Sequence, residues 1–469
     1  MHGRISKWLA GGLAAFIIGG PTLAWGQYEQ MASIPAVPAV AESQQGQVDG
    51  QFVSATTEAA PDDLAARVKK LEEALKKAED KAAADKKKAA GKPSVEFGGR
   101  IFLDHVFNDQ DAANKAAFGQ AQDGIEFRAL RLQAQGKAFE VVDYKTEIDF
   151  ANSTGVFKDI WIGVGELPVV GNFRAGHFKE PIGLEELTSD NFTTFMERSM
   201  GDQIFLPARN TGFMFFDWTE AKHMTWQLGM FDTDIADNPS TRTADELAQS
   251  VTGRVTWLPW YDECTDGRGL LHTGAAYSYR HPYHNSRTFS GRADEHIGLT
   301  YINTGALSLA DYQLYGLESA FVYGPLSVQS EYFHVQADPT AAGTKDMQFN
   351  AFYVTVSYFL TGEHRPYRRE LGVFDRIKPF ENFFRVRAED GCIYTGKGAW
   401  ELAYRYDYCD VGDVGRANAS LVGASTYGVN WYLNPYTRMM FNYVHGDMNK
   451  SYADAGTLDA FLTRFQIDF

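Results

Sequence analysis

The sequence predicts an all-β chain: a transmembrane antiparallel β-barrel of about sixteen strands, preceded by a short N-terminal coiled-coil helix. Three observations carry this. The chain opens on an export signal, its hydrophobic period is two almost everywhere after Val95, and its last nine residues form an amphipathic strand ending on an aromatic ring. In that last stretch, FLTRFQIDF, Thr463, Phe465, Ile467 and Phe469 share one side of a strand. Leu462, Arg464, Gln466 and Asp468 share the other. A terminal phenylalanine is well placed at a lipid interface. Taken alone, the segment also reads as an edge strand of a soluble sheet.

The elements follow in chain order. Arg4 and Lys7 precede an apolar run from Trp8 to Gly20, then Pro21 and small residues at Ala24 and Gly26. The run is shorter than the ~20 residues of a spanning helix, so residues 1–26 read as a secretory signal peptide cleaved after Gly26. Residues 27–61 are rich in Ala, Gln, Ser, Val and Pro without periodicity, which predicts a disordered linker. Leu64, Val68, Leu71, Leu75, Ala78 and Ala82 then step by four and three, with Lys, Glu and Asp between them. This predicts a heptad helix within 62–92. Asp62 and Asp63 at its start and Lys86–Lys88 near its end complement the helix dipole. A lone helix of this length is marginal in water, so a three-stranded coiled coil between copies is expected. A solvated charged spacer is the alternative.

From 94 to 469 the pattern is that of strands. Leu130, Leu132, Ala134, Gly136 and Ala138 alternate with Arg131, Gln133, Gln135 and Lys137. Trp400, Leu402, Tyr404, Tyr406 and Tyr408 alternate with Glu401, Ala403, Arg405 and Asp407. Such runs have the length that crosses a bilayer with tilt. A short turn at Asn434-Pro435 contrasts with long polar loops expected at Asp410–Ala424 and Gly446–Asp459. Outer-membrane barrels show that asymmetry between their two ends. Trp257, Trp260, Tyr261 and Tyr404–Tyr408 have the character of aromatic girdles. Residues 362–397 hold a basic run that reads as a long solvated loop or a further hairpin.

Composition narrows the function. The mean hydropathy of −0.31 excludes a helical membrane protein but not a barrel, in which only every second strand residue meets lipid. A net charge of −16 makes nucleic acid an unfitting partner. Three cysteines, Cys264, Cys392 and Cys409, are too few for a disulfide framework and read as unpaired or buried thiols, with one disulfide as the alternative. No serine sits in a GxSxG turn, and HPYH (His281–His284) lacks acidic or sulfur partners at ligand spacing. No catalytic site, metal or cofactor is expected.

Several stretches resemble one family. FRALRLQAQGKAFEVVDYKTEIDFA (Phe127–Ala151) is similar to an early hairpin of the phosphate-selective porin O/P family. FRAGHFKEPIGLEELTSDNFTTFMERS (Phe173–Ser199) resembles its loop region after a strand. YFLTGEHRPY (Tyr358–Tyr367), GAWELAYRYDY (Gly398–Tyr408) and GVNWYLNPYTRMMFNYVH (Gly428–His445) resemble further strand-and-loop signatures. The resemblance implies a homotrimer of sixteen-stranded barrels in the bilayer of a Gram-negative outer membrane. It also implies a loop folded into each pore, arginines along the channel and lysines near the constriction. Arginine offers a planar fork matched to phosphate oxygens and stays charged.

Alternation places Arg100, Arg131, Lys137, Lys145, Arg174, Arg254, Arg280, Arg405 and Arg438 inward as candidate anion contacts. Arg198, in the MERS stretch, is the leading candidate at the constriction, with Lys179 and Arg209 behind it. Each is otherwise an ordinary lumenal charge paired with an acid such as Glu126, Glu147, Asp149 or Glu401. The expected function is a water-filled channel for passive diffusion of small solutes, with anions such as phosphate preferred. Acids still outnumber bases within 94–469, so no global field favours anions. A general or cation-preferring porin, or a structural barrel tethering the outer membrane to the cell wall, are the alternatives.

Overall fold

Side chains that alternate between lipid and water give strands, and these strands close on themselves. The computed structural model describes residues 92–469 apart from 152, 233–248, 388–390, 415–419 and 452. It also describes Lys69, Glu73, Lys76 and Lys77, which are helical. The predicted signal peptide, linker and most of the heptad segment lie outside the described residues. Sixteen antiparallel strands form one closed barrel. They are β1 (Glu96–Gln110), β2 (Gly124–Lys137), β3 (Val142–Asp149), β4 (Val156–Leu167), β5 (Gly171–Lys179), β6 (Arg209–Trp218), β7 (Met224–Asp232) and β8 (Gln249–Tyr261). Then come β9 (Gly269–Arg280), β10 (Leu307–Tyr323), β11 (Leu326–Pro339), β12 (Met347–Phe359), β13 (Ala399–Asp410), β14 (Ser420–Asn434), β15 (Thr437–Lys450) and β16 (Ala453–Asp468). β16 returns to pair with β1, from Arg100↔Asp468 to Gln110↔Leu458.

The two faces sort as the alternation predicts. On β16, Phe465 and Ile467 are exposed, as is the following Phe469, whereas Leu462, Arg464, Gln466 and Asp468 are buried. Trp257, Trp260, Tyr323, Tyr358 and Tyr427 stand exposed on the outer face. Charges face in and aromatics face out, the reverse of a soluble sandwich.

Among the described residues, three connections fold into the barrel. The first is 180–208, between β5 and β6. The second is 281–306, between β9 and β10, which buries Phe289, Ala293, Tyr301 and Ile302. A short helix α1 (Ala112–Phe118) follows β1, and the first inward loop contains α2 (Leu184–Leu187) and α3 (Met200–Phe205). α3 starts where Ser199 accepts a hydrogen bond from the Asp202 amide. An apolar core forms inside the barrel where Ile182, Met200, Ile204 and Phe205 meet Phe289 and the wall residues Leu314, Phe333, Phe349 and Met440.

The third inward connection, 360–398, joins β12 to β13 at the end of the short turns. It is not the solvated loop that its charge run predicts. Tyr367, Val373 and Phe374 pack with Leu184, Leu258, Leu270, Ala320 and Val322. Arg365 lies 3.6 Å from the centre of the Phe374 ring and donates to Gln329. The expected further hairpin exists as Phe384–Arg387 paired with Ile393–Gly396. The loop expected at Gly446–Asp459 is instead strand, because β15 runs to Lys450 and β16 starts at Ala453. Likewise β14 takes up the second part of Asp410–Ala424. Polar residues extend these strands beyond the lipid-facing band, and polarity alone does not end a strand. Cys264 and Cys392 are exposed and Cys409 is buried.

Candidate functional site

The first inward loop leaves one side of the lumen packed and the other open. On the packed side, wall groups satisfy the loop's backbone. Arg438 donates to the Thr193 carbonyl at 2.7 Å, Asn430 to Thr194 at 2.8 Å, Arg464 to Met196 at 2.7 Å and Arg405 to Glu197 at 3.0 Å. The Met200 amide donates to Asp407, and the Leu184 and Glu185 amides to Glu331. A buried backbone group left unbonded is costly, so a loop inside a barrel needs such partners.

This anchoring reassigns four of the predicted anion contacts. Arg405 and Arg438 hold the first loop. Arg254 pairs with Glu318 at 2.8 Å and donates to the Gly372 carbonyl, holding the third connection. Arg280 is enclosed by Glu180 at 2.7 Å and the Tyr312 hydroxyl. All four are buried. Lys137 also falls away from the channel: it is exposed beside the 138–141 turn and donates to the Glu140 carbonyl.

The open side lies between the loop and the wall β1–β6. Arg100 and Arg131 both pair with Asp190 of the loop. Lys145 and Arg209 share Asp159, each at 2.9 Å. Lys179 meets the carbonyl of Glu186, and its carboxylate at 3.2 Å. Arg198 donates to the carbonyls of Glu185, Glu186 and Thr188. Two adjoining spaces, of about 430 and 60 Å³, share Lys179, Asp190 and Arg209 in their walls. Ten arginines and lysines line them against four carboxylates, so the open side is positive although the whole chain is not.

Protonation within the loop sharpens this. Burial opposes charge on Asp190 and Glu197, yet Arg100 and Arg131 around Asp190, and Arg128 and Arg464 around Glu197, hold both carboxyls below their usual range. Asp202 goes the other way: burial, with Glu186 and Glu185 nearby, pushes its carboxyl well up. Glu186 is the nearer acid to Arg198, at 3.3 Å against 3.8 Å for Asp202.

Of the predicted residues, Arg100, Arg131, Lys145, Arg174, Lys179, Arg198 and Arg209 line the open spaces. Arg128, Arg368 and Arg464 line them too, outside the set of predicted contacts. Arg464 sat on the predicted inner face of the last strand and is readable there. Arg128 is not, because the β1–β2 register shifts between Phe102 and Leu103, and the extra residue turns Arg128 and Arg131 to the same side. Arg368 arrives on the third inward connection.

Residues 95–469 match the model of a family described as "Phosphate-selective porin O and P". The chain is similar to Porin O of Pseudomonas aeruginosa, 26% identical over 422 residues, covering 80% of this chain and 88% of that one. It is also similar to an uncharacterised protein of Caulobacter vibrioides, 26% identical over 349 residues, covering 70% of this chain and 63% of that one. Among solved structures, an anion-selective porin from Comamonas acidovorans shares the fold at 12% identity and a TM-score of 0.50, over 81% of this chain and all of that one.

Proposed function

The chain belongs to the phosphate-selective porin O and P family and is an outer-membrane porin channel, and from that premise we propose that its pore prefers anions and holds inorganic phosphate in transit. The observation that carries this is the lining of the open side: ten cationic side chains to four carboxylates. An anion entering a narrow lumen gives up water, and fixed guanidinium and ammonium groups replace it. Asp159 and Asp190 temper that attraction by sharing the same cations. Conduction needs binding that is favourable but weak enough to release the ion. Lys179 and Arg209 border both spaces, so an ion moving between them passes these two groups.

Reconstitution into planar bilayers tests this. Under a potassium chloride gradient, the reversal potential should have the sign of chloride permeation. Phosphate added at fixed chloride should block the current, and exchanging Lys179 and Arg209 for glutamine should weaken that block. A reversal potential of potassium sign refutes the proposal.

We also propose that the channel assembles as a homotrimer. β3, β5 and β6 have eight, nine and ten residues, whereas β10 and β16 have seventeen and sixteen. A spanning strand needs ~9–11 residues, so this part of the wall has little or no margin over the bilayer, unlike β10 and β16, and suits a neighbouring copy. The heptad pattern from Leu64 to Ala82 supports association between copies. Mass measurement of the detergent-solubilised full chain checks it.

A further inference from the structure

Arg174 differs from Arg100, Arg131, Lys145, Lys179 and Arg209, each of which pairs with an acid. Among the described residues it makes no hydrogen bond or ion pair, and its Nε is buried without a partner. Aromatic rings position it instead. Its guanidinium lies 4.0 Å from the centre of the Trp161 ring, 5.2 Å from Phe216 and 5.6 Å from Phe178. A guanidinium on an aromatic face is held flat with its edge free for a planar acceptor.

The backbone makes room for this pair. Gly163 stands across from Arg174 on β4, and Gly176 stands across from Trp161 on β5. A side chain at Gly176 would come within 2.6 Å of the Trp161 Cα, and its φ of +139° is one that other residues rarely adopt. The larger open space continues from here between the first and third inward connections. Leu187, Met214, Leu371 and Val373 line it, beside Arg174 and Lys179. An apolar wall is out of place in a polar lumen. Chloride and inorganic phosphate gain nothing from it.

We propose that this space is a subsite for organic anions whose acidic head carries an aromatic ring. The head group pairs with the free edge of Arg174, and the ring rests against the apolar groups beside it. The subsite rests on the anion-preferring reading of the pore and adds a second substrate class to it.

The test compares phenyl phosphate with inorganic phosphate as blockers of chloride current through the full-length channel in bilayers. Phenyl phosphate should half-block at about one-tenth the concentration of inorganic phosphate. Arg174→Gln should bring that ratio close to one, and Trp161→Leu should lower it by freeing the guanidinium. Arg174→Lys keeps the charge but not the plane and should also lose most of the ratio. The ratio is the readout because a general change in conductance does not move it. Equal block of the unaltered channel by both anions, or an unchanged ratio in Arg174→Gln, overturns the subsite while leaving the anion pore standing. Block by phenyl phosphate without block by inorganic phosphate keeps the subsite and overturns only the holding of inorganic phosphate in transit, whereas block by neither overturns both.

Discussion

Lys179 and Arg198 approach the same acid, Glu186, and do different work. Arg198 is fastened to three carbonyls of its own loop, whereas Lys179 borders both open spaces. Lys179→Gln should therefore raise the phosphate concentration for half-block about tenfold, the effect of losing ~1.4 kcal/mol of a charge-assisted contact. Arg198→Ala should instead loosen the loop, giving noisier and larger single-channel currents; a quiet channel with selectively weakened phosphate block would return Arg198 to the site. Glu295 in the second inward loop gives a pH dependence. Its burial pushes the carboxyl from 4.5 to about 7, with Asn108 and Arg292 only partly opposing this. Between these values the unfolded chain has released a proton that the folded loop keeps, so packing of the loop weakens as pH rises from about 4.5 to 7. Amide protection over 289–304, the slowing of exchange relative to an unstructured peptide at the same pH, should be lower at pH 8 than at pH 5, and Glu295→Gln should flatten the difference.

At the scale of elements, the arginines of the packed side are anchors for a loop. Arg464 illustrates it, joining Asp104 at 2.6 Å, Glu197 at 3.0 Å and the Met196 carbonyl. Arg464→Leu strands the buried Asp104 carboxylate, while Glu197 keeps Arg128, and should destabilise the protein by about 3–5 kcal/mol, read as a lower temperature of heat-induced mobility shift on gels. The strand that carries Arg464 was legible because its two faces differ in chemistry at every position. Alternation reports that Arg405 and Arg438 point inward; it does not distinguish water from a folded-in loop as what they meet. The same limit hid the third inward connection, whose Val373 and Phe374 are too few to show a period. Arg128 was lost for another reason, since one inserted residue reverses the parity of all that follows.

For the whole molecule, the unequal wall makes a prediction about lipid. Ile162 on β4 and Leu317 on β10 are both exposed on the outer face. If β3–β6 abuts neighbouring copies, Ile162→Glu should dissociate the assembly while leaving the monomer barrel folded. Leu317→Glu should leave assembly intact and weaken insertion by up to about 2 kcal/mol, since an acid on a lipid face costs less than the ~2–4 of a base. Size determination in detergent alongside tryptophan fluorescence in lipid separates the two, and identical behaviour of both variants would remove the low-wall argument.

The seam between β1 and β16 joins residues some 360 positions apart in the chain, as Arg464 to Asp104 records. Until the final segment arrives, the growing sheet has two raw margins, each a row of unsatisfied amides and carbonyls. Ring completion therefore waits on the slowest kind of encounter, one between the far ends of a polymer. Release into the bilayer before that moment would expose both margins to hydrocarbon, so the maturing chain has to be sheltered until its circle is shut.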